Sequence, residues 1–138
     1  MRRPIRGTFS WFFAVLLTAA CSNNNTLSPT PATPPPTVTD SFSGSVTING
    51  AVTHAFGVQT GGRVTATLKS LSPESAVIGL SLGTWNGAAC QIVLANDSAK
   101  LGTIVIGNVT SLGNLCVRLY DVGTLTTATS YEVEVVHP

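Results

Sequence analysis

The sequence predicts an all-β domain of about eight antiparallel strands, arranged as a sandwich or a barrel. Two observations support this fold class: apolar and polar residues alternate from residue 42 onward, and turn residues recur about every ten positions. Outside the N-terminus, no window of about ten residues carries the apolar spacing of an amphipathic helix. Hydrophobic residues make up 43% of the 138 residues and charged residues only 9%, which excludes a wholly disordered chain.

The N-terminal segment has the composition of an export signal. Arg2, Arg3 and Arg6 precede a charge-free and mostly apolar run over residues 9–20. As a helix this run would extend about 18 Å, whereas the hydrocarbon core of a bilayer is roughly 30 Å thick. Residues 1–20 are therefore predicted to be a cleaved signal peptide rather than a membrane-spanning helix.

Residues 16–21, which read Leu-Leu-Thr-Ala-Ala-Cys, resemble the lipobox of bacterial lipoproteins. The resemblance implies that Cys21 receives diacylglycerol and palmitate and becomes the first residue of a protein anchored to the membrane. Ser22 follows, where an Asp in this family commonly causes inner-membrane retention, so an outer membrane is favoured if the cell has one. The alternative is an ordinary secretory signal that is cleaved nearby, with Cys21 incidental.

A proline-rich linker is predicted over residues 21–41, because this stretch holds five of the eight prolines. It has too few apolar residues to offset the entropy lost on ordering, and proline favours an extended polyproline II conformation. The β domain is then predicted to occupy residues 42–138.

Strands are predicted from the two-residue alternation and from β-favouring composition. The predicted strands are 42–49, 54–60, 64–69, 78–83, 89–95, 103–109, 115–122 and 131–136. Asn49-Gly50, Gly61-Gly62 and Asn86-Gly87 can supply the positive φ angles of type I′ turns. Ser72-Pro73-Glu74 and Asn96-Asp97-Ser98 are predicted to break the chain between strands.

Cys90 and Cys116 are the two cysteines that remain beside Cys21. An even pair in an exported chain predicts a disulfide bond, since the compartment is oxidising. The alternative is a pair of buried free thiols. No metal site is predicted, because the two cysteines have no nearby histidine to complete a set of ligands.

The charge of the processed protein is low. After loss of residues 1–20, four basic and six acidic residues remain, a net charge of −2. No basic patch is present to attract nucleic acid or anionic lipid headgroups, so nucleic acid is excluded as a partner.

Five segments carry a family resemblance: 54–58 (His-Ala-Phe-Gly-Val), 62–68 (Gly-Arg-Val-Thr-Ala-Thr-Leu), 79–82 (Gly-Leu-Ser-Leu), 116–121 (Cys-Val-Arg-Leu-Tyr-Asp) and 131–135 (Tyr-Glu-Val-Glu-Val). Together they resemble the bacterial pre-peptidase C-terminal (PPC) domain family, which accompanies secreted proteins. The resemblance implies an antiparallel β-sandwich of jelly-roll type. Some relatives bind calcium or collagen, but Ala76-Val77-Ile78 stands where they commonly have acidic residues, and Cys116 replaces a common aromatic. No ligand residue is therefore carried over.

No catalytic residue and no cofactor are predicted. The histidines that could act as bases are His54, within a predicted strand, and His137, next to last in the sequence. Serines are abundant, but none is predicted to occupy a strand-to-helix Gly-x-Ser-x-Gly elbow. Glu132 and Glu134 share one face of a predicted strand, which indicates a solvated surface rather than a catalytic pair of carboxylates. The oxygens of Asn96, Asp97 and Asp121 are expected to serve turns rather than calcium.

Trp85 is the candidate ligand contact, because it adjoins the Asn86-Gly87 turn, where an aromatic ring can be displayed to a sugar or a protein. The alternative is that the ring folds over the end of the sandwich as core. The sequence thus predicts a lipid-anchored, non-catalytic binding module of the cell envelope, facing the periplasm or the exterior, with a protein or glycan partner. The alternative function is an accessory or chaperone-like domain for a separate exported hydrolase.

Overall fold

A computed structural model describes residues 31–138, within which Thr33–Pro138 forms a compact unit. The predicted signal peptide, the lipidation of Cys21 and the first part of the linker lie outside the described residues. The eight strands are β1 (Val38–Val46), β2 (Ala51–Val58), β3 (Gly62–Ser72), β4 (Ile78–Trp85), β5 (Cys90–Ala99), β6 (Ile104–Val109), β7 (Gly113–Tyr120) and β8 (Thr129–His137).

The strands form two four-stranded antiparallel sheets. Sheet I has the order β1-β8-β3-β6, and sheet II has the order β2-β7-β4-β5. This strand order is that of a jelly roll, in which the chain passes repeatedly from one sheet to the other. The predicted fold class, an all-β antiparallel sandwich of jelly-roll type, is confirmed. Within residues 31–138, no helix is long and apolar enough to cross a bilayer.

The core lies between the two sheets, and several strands contribute every second residue to it. In β8, for example, Tyr131, Val133 and Val135 point inward and are at most 3% exposed. In β4, Ile78, Leu80 and Leu82 also point inward and are at most 5% exposed. The alternation read from the sequence therefore predicts correctly which face of these strands is buried.

Sheet I begins earlier than the sequence predicts. Val38 is paired with His137 and Asp40 with Val135, so the strand starts four residues before the predicted boundary at Phe42. Residues 38–41 carry few apolar side chains, which an edge strand such as β1 tolerates. Their backbone hydrogen bonds to β8, which a periodicity argument does not detect, hold them in the sheet.

The three predicted type I′ turns differ from the observed ones. Gly61-Gly62 closes no hairpin, because β2 belongs to sheet II and β3, which begins at Gly62, belongs to sheet I. Asn49-Gly50 does not close a hairpin: it carries the chain from sheet I to sheet II, Gly50 N–H donates to Thr47 O at 2.9 Å, and Asn49 alone has a positive φ, 56°. Asn86-Gly87 does lie in a hairpin, but the loop spans residues 86–89 rather than two residues. Strand pairing between distant segments therefore decides what each turn connects.

Asn96-Asp97-Ser98 is not a break between strands, as predicted, but part of β5. The register of β4 against β5 shifts here, since Ile78 is paired with Ala99 and Leu80 with Asn96. A local irregularity thus absorbs the polar residues without ending the strand. The actual turn lies at residues 100–103, where Gly102 has a φ of 84°.

Candidate functional site

The open side of the sandwich between β5 and β6 exposes an unusual number of large apolar side chains. We call this surface the apolar edge, and its members are Ile92, Val93, Leu94, Ile104 and Ile106, all at least 39% exposed. β5 is the last strand of sheet II and β6 is the last strand of sheet I, so neither has a neighbour on this side. Exposed apolar residues in such a group mark surfaces that contact other molecules.

A cleft of about 170 Å³ opens between the two sheets at the apolar edge. Val93 and Leu94 line it from β5, Gly107 and Val109 from β6, and Leu82 belongs to its wall. A Cβ on Gly107 would stand 3.1 Å from Leu94 Cδ1. Because glycine has no side chain, β6 can approach Leu94 of β5 closely and the cleft is not filled. The cleft is therefore an apolar depression between two strand edges.

Val93 is presented by an irregularity in β5. Leu82 is paired with Leu94 and Gly83 with Ile92, which leaves Val93 without a partner in β4. This extra residue is 70% exposed. A bulge of this kind turns a side chain away from the regular pleat, and here it turns an apolar one toward solvent.

The two strands of the apolar edge carry little charge of their own, although Arg118 and Asp121 line a hollow together with Ile92. β6 holds no ionisable residue, and in β5 the single charged side chain, Asp97, accepts a hydrogen bond from the hydroxyl of Tyr120. Natural proteins usually protect sheet edges with proline or with charged side chains such as lysine, because an unprotected edge pairs with other chains. Both strands therefore lack the charged side chains that usually protect a sheet edge.

Trp85, the sequence-predicted ligand contact, lies at the end of β4 and is half-buried. By alternation along β4 it lies on the face of sheet II that points away from sheet I, together with Ser81 and Gly83. It is not among the residues that form or pack against the core. That Trp85 contacts a ligand stays a prediction.

The predicted disulfide between Cys90 and Cys116 is present, with Cα atoms 5.8 Å apart. Cys116 is fully buried. Cys90 is paired with Trp85, and Cys116 is paired with Gly83, so the bond joins β5 to β7 across β4. A Cβ on Gly83 would overlap with the backbone carbonyl of Gln91, so only glycine fits at the position in β4 that the disulfide bond spans.

The Gly-x-Ser-x-Gly spacing of hydrolase elbows does occur, in Gly79-Leu80-Ser81-Leu82-Gly83, but not in an elbow. Ser81 lies in the middle of β4, is fully buried, and donates its hydroxyl to Arg118 O at 3.2 Å. A Cβ on Gly79 would overlap with the Tyr120 ring. The small residues make room for side chains of β7, which is a packing role.

The two histidines, considered in the sequence as bases, lie in one aromatic cluster between β1, β2 and β8. The His54 ring stacks on Phe42 with centroids 4.7 Å apart, and its Nε2 is 2.7 Å from the Tyr131 hydroxyl. His137 is 3% exposed, and its Nε2 is 3.0 Å from Asp40 Oδ2. Burial raises the pKa of Tyr131 to about 12, so this hydroxyl stays protonated near neutral pH. The cluster joins β1 and β8 of sheet I to β2 of sheet II by packing and hydrogen bonding.

Acidification is expected to weaken the fold through His54. Burial lowers the pKa of His54 below its ordinary value of 6.5, so the unfolded chain binds this proton more readily than the folded one. The stabilisation is complete above about pH 6.5 and is lost as the pH falls toward the folded-state pKa. Urea unfolding between about pH 7 and pH 5 should show a smaller loss of stability in His54→Gln than in the wild type. An equal loss in both would contradict this assignment.

The side chains considered as calcium ligands are engaged within the domain: Asn96 Oδ1 accepts from Ser98 N, Asp97 accepts from the Tyr120 hydroxyl, and Asp121 binds backbone N–H groups. Asp121 Oδ1 accepts from the N–H groups of Gly123, Thr124 and Leu125, and its Oδ2 accepts from Asn49 at 2.8 Å. These hydrogen bonds, that from Asn49 first, lower the pKa of Asp121. In the part of the chain that the structure describes, no group of three or more His, Cys, Asp or Glu is placed to hold a metal ion.

No protein-family model and no curated protein matches this chain. Among the solved structures that are similar to it is PliG of Aeromonas hydrophila, a periplasmic inhibitor of g-type lysozyme, which superimposes with a TM-score of 0.53 at 13% sequence identity. The similarity covers 72% of this chain and 84% of that one. At this identity it shows a shared fold.

Sequence reasoning did not find the apolar edge. Its residues alternate or cluster as buried strand residues do, and the sequence predicts residues 89–95 and 103–109 only as strands. The signal available was the absence of lysine and proline in both segments. That absence has meaning only once both strands are known to be edges.

Proposed function

We propose that this protein is a lipid-anchored, non-catalytic binding module of the bacterial cell envelope, and that its partner is a protein. The observation that carries the proposal is the apolar edge with its cleft. An enzyme needs converging reactive groups, whereas this surface offers shape and apolar area, which are what a protein partner uses.

The chemistry of the edge favours a partner that inserts an apolar side chain. Affinity in protein interfaces is concentrated where apolar anchors fill small, well-packed depressions. The cleft of about 170 Å³ has Leu82, Val93 and Leu94 in its wall and is large enough for one such side chain. The free backbone groups of β5 and β6 can bond to an extended segment at the same time.

Anchoring through Cys21 is part of the proposal. The lipobox-like residues 16–21 and the proline-rich residues that follow support it, since a lipidated cysteine on an extended linker would hold the domain away from the membrane. The neighbour in fold is periplasmic, which agrees with an envelope location. The resemblance to the PPC family remains a prediction.

A second candidate is the narrower role of acting on an exported hydrolase, as an accessory or an inhibitor. The fold similarity to PliG favours it, because that protein is a periplasmic inhibitor of g-type lysozyme. A g-type lysozyme is therefore the first purified protein to test. Slower lysis of cells in the presence of this protein would support the narrower role, and unchanged lysis would remove this enzyme as the partner.

The proposal is tested by photo-crosslinking in the intact envelope, with a benzophenone amino acid at position 92. Val93→Asp is expected to abolish the crosslinked protein band, because it places a charge at the mouth of the apolar cleft. Val38→Asp is the matched control. Val38 is 49% exposed on β1, the opposite edge of sheet I, and the same change there should leave the band intact.

Two outcomes would overturn the proposal. One is the absence of any protein crosslink from position 92 in the wild type. The other is an equal yield of the band from Val93→Asp and the wild type. Melting of both variants by circular dichroism checks that each remains folded.

A further inference from the structure

A second concave site lies at the end of the outer face of sheet II, apart from the apolar edge. It is an open hollow of about 520 Å³ lined by Ala55, Phe56, Gly57, Trp85, Asn86, Gly87 and Asn114. None of these residues lines the cleft of the apolar edge. The hollow is thus a separate place on the molecule where a ligand can lie.

Three neighbouring strands shape the hollow. Gly57 of β2 is paired with Asn114 of β7, and Thr84 of β4 with Leu115 of β7, so Trp85 and Asn114 lie side by side at the ends of their strands. A Cβ on Gly57 would be 3.8 Å from Asn114 Oδ1, so the amide stands directly over the glycine. The indole and the amide therefore stand next to each other above a floor of small residues.

The polar groups of the hollow are neutral amides. The Oδ1 atom of Asn86 accepts hydrogen bonds from Ala88 N and Ala89 N at 2.9 and 2.8 Å, which orients this side chain and leaves its N–H₂ group free to donate. The Asn114 side chain is exposed and makes no hydrogen bond within residues 31–138. No charged residue lines the hollow. Such a lining suits a neutral ligand with many hydroxyl groups.

We infer that this hollow binds a neutral saccharide. The C–H-rich face of a pyranose ring carries a slight positive charge and packs against the negative face of an indole, which Trp85 provides. The Asn114 amide can both donate and accept, and the N–H₂ group of Asn86 can donate, so the two side chains match the hydroxyl groups of a sugar. The volume lies within the range of small-molecule sites, about 300–1,000 Å³.

The disulfide holds the two walls of the hollow in place. Cys90 is paired with Trp85, and Cys116 follows Asn114 by two residues in β7. The Cys90–Cys116 bond therefore ties the strand beside the indole to the strand that bears the amide. A site ordered before binding loses less entropy when the ligand arrives.

Fluorescence titration tests the inference directly. Trp85 is the single tryptophan of the processed protein proposed above, and Trp11→Phe removes the other tryptophan from any unprocessed protein. The probes are three neutral trisaccharides, chitotriose, cellotriose and maltotriose, with trigalacturonate as the anionic comparison, each up to about 10 mM to reach weak single-ring affinities. At least one neutral probe is expected to change the emission with saturation.

Variants identify the contacts, with binding measured by calorimetry where the indole is absent. Trp85→Ala should weaken binding at least about tenfold, and Asn114→Ala about two- to tenfold. Trp85→Phe should bind with an affinity between those of Trp85→Ala and the wild type. Val93→Asp should bind the saccharide as the wild type does, which separates this site from the proposed protein-binding edge.

The inference is overturned by any of three results. These are no saturable binding of any neutral trisaccharide, equal affinity of Trp85→Ala and the wild type, or trigalacturonate binding as tightly as the neutral probes. Thermal melts of each variant identify any that is unfolded, in which case the Trp85→Phe and Asn114→Ala affinities decide.

Discussion

Replacement of both Cys90 and Cys116 by alanine is expected to lower the free energy of unfolding by about 3 to 4 kcal/mol. The two residues are 26 apart in sequence, so the bond restricts a loop of this length in the unfolded chain. For a domain of this size, the loss corresponds to a melting midpoint lower by more than about 10 °C. Circular dichroism melts of the variant and the wild type measure the difference.

The reductant provides the matched control for this prediction. Dithiothreitol should lower the midpoint of the wild type by a similar amount and leave that of the double variant unchanged, because only the wild type has a bond to reduce. A wild type that melts at the same temperature with and without the reductant, while both thiols become open to alkylation on unfolding, would contradict the assignment of the bond as stabilising.

Replacement of Cys21 by serine is expected to move the protein entirely from the membrane fraction to the soluble fraction. The predicted diacylglyceryl group and amide-linked chain would hold the wild type stably, since each buried CH₂ contributes about 0.8 kcal/mol and a single chain anchors only marginally. Without the thiol, the predicted lipid cannot be attached at position 21. Labelling of cells with radioactive palmitate followed by fractionation measures both effects.

Ser22→Ala is the control for this change, because it alters the neighbouring residue and keeps the thiol. It should remain labelled and membrane-bound. Equal labelling of Cys21→Ser and the wild type would show that the lipid is attached elsewhere or not at all, and the ordinary secretory signal would then be the better interpretation of residues 1–20.

The local pattern of the sequence predicted the strands well where a side chain has only two choices, inward or outward. Alternation placed Val133 and Val135 in the core, and the even count of cysteines predicted the bond between Cys90 and Cys116. These inferences succeed because a strand exposes successive residues to opposite faces, and because an oxidising compartment favours pairing of thiols.

The pattern failed where backbone pairing, rather than side-chain burial, decides the structure. Residues 38–41 belong to β1 because they are paired with β8, and Asn96-Asp97-Ser98 lies within β5 at a register shift. Hydrogen bonds between main-chain groups depend little on residue type. Polar segments can therefore belong to a sheet without leaving a signal in the sequence.

The sequence by itself determined that the domain is all-β, which strand faces are buried, and that two cysteines are available to bond. Only the tertiary structure decided that β5 and β6 are both edges, so that Val93 and its neighbours remain exposed. It also brought Asn114 beside Trp85, 29 positions away in sequence. The physical reason is that a jelly roll pairs strands that are distant along the chain, so which residues become neighbours, and which strands are left unpaired, follows from the order of strands in the sheets.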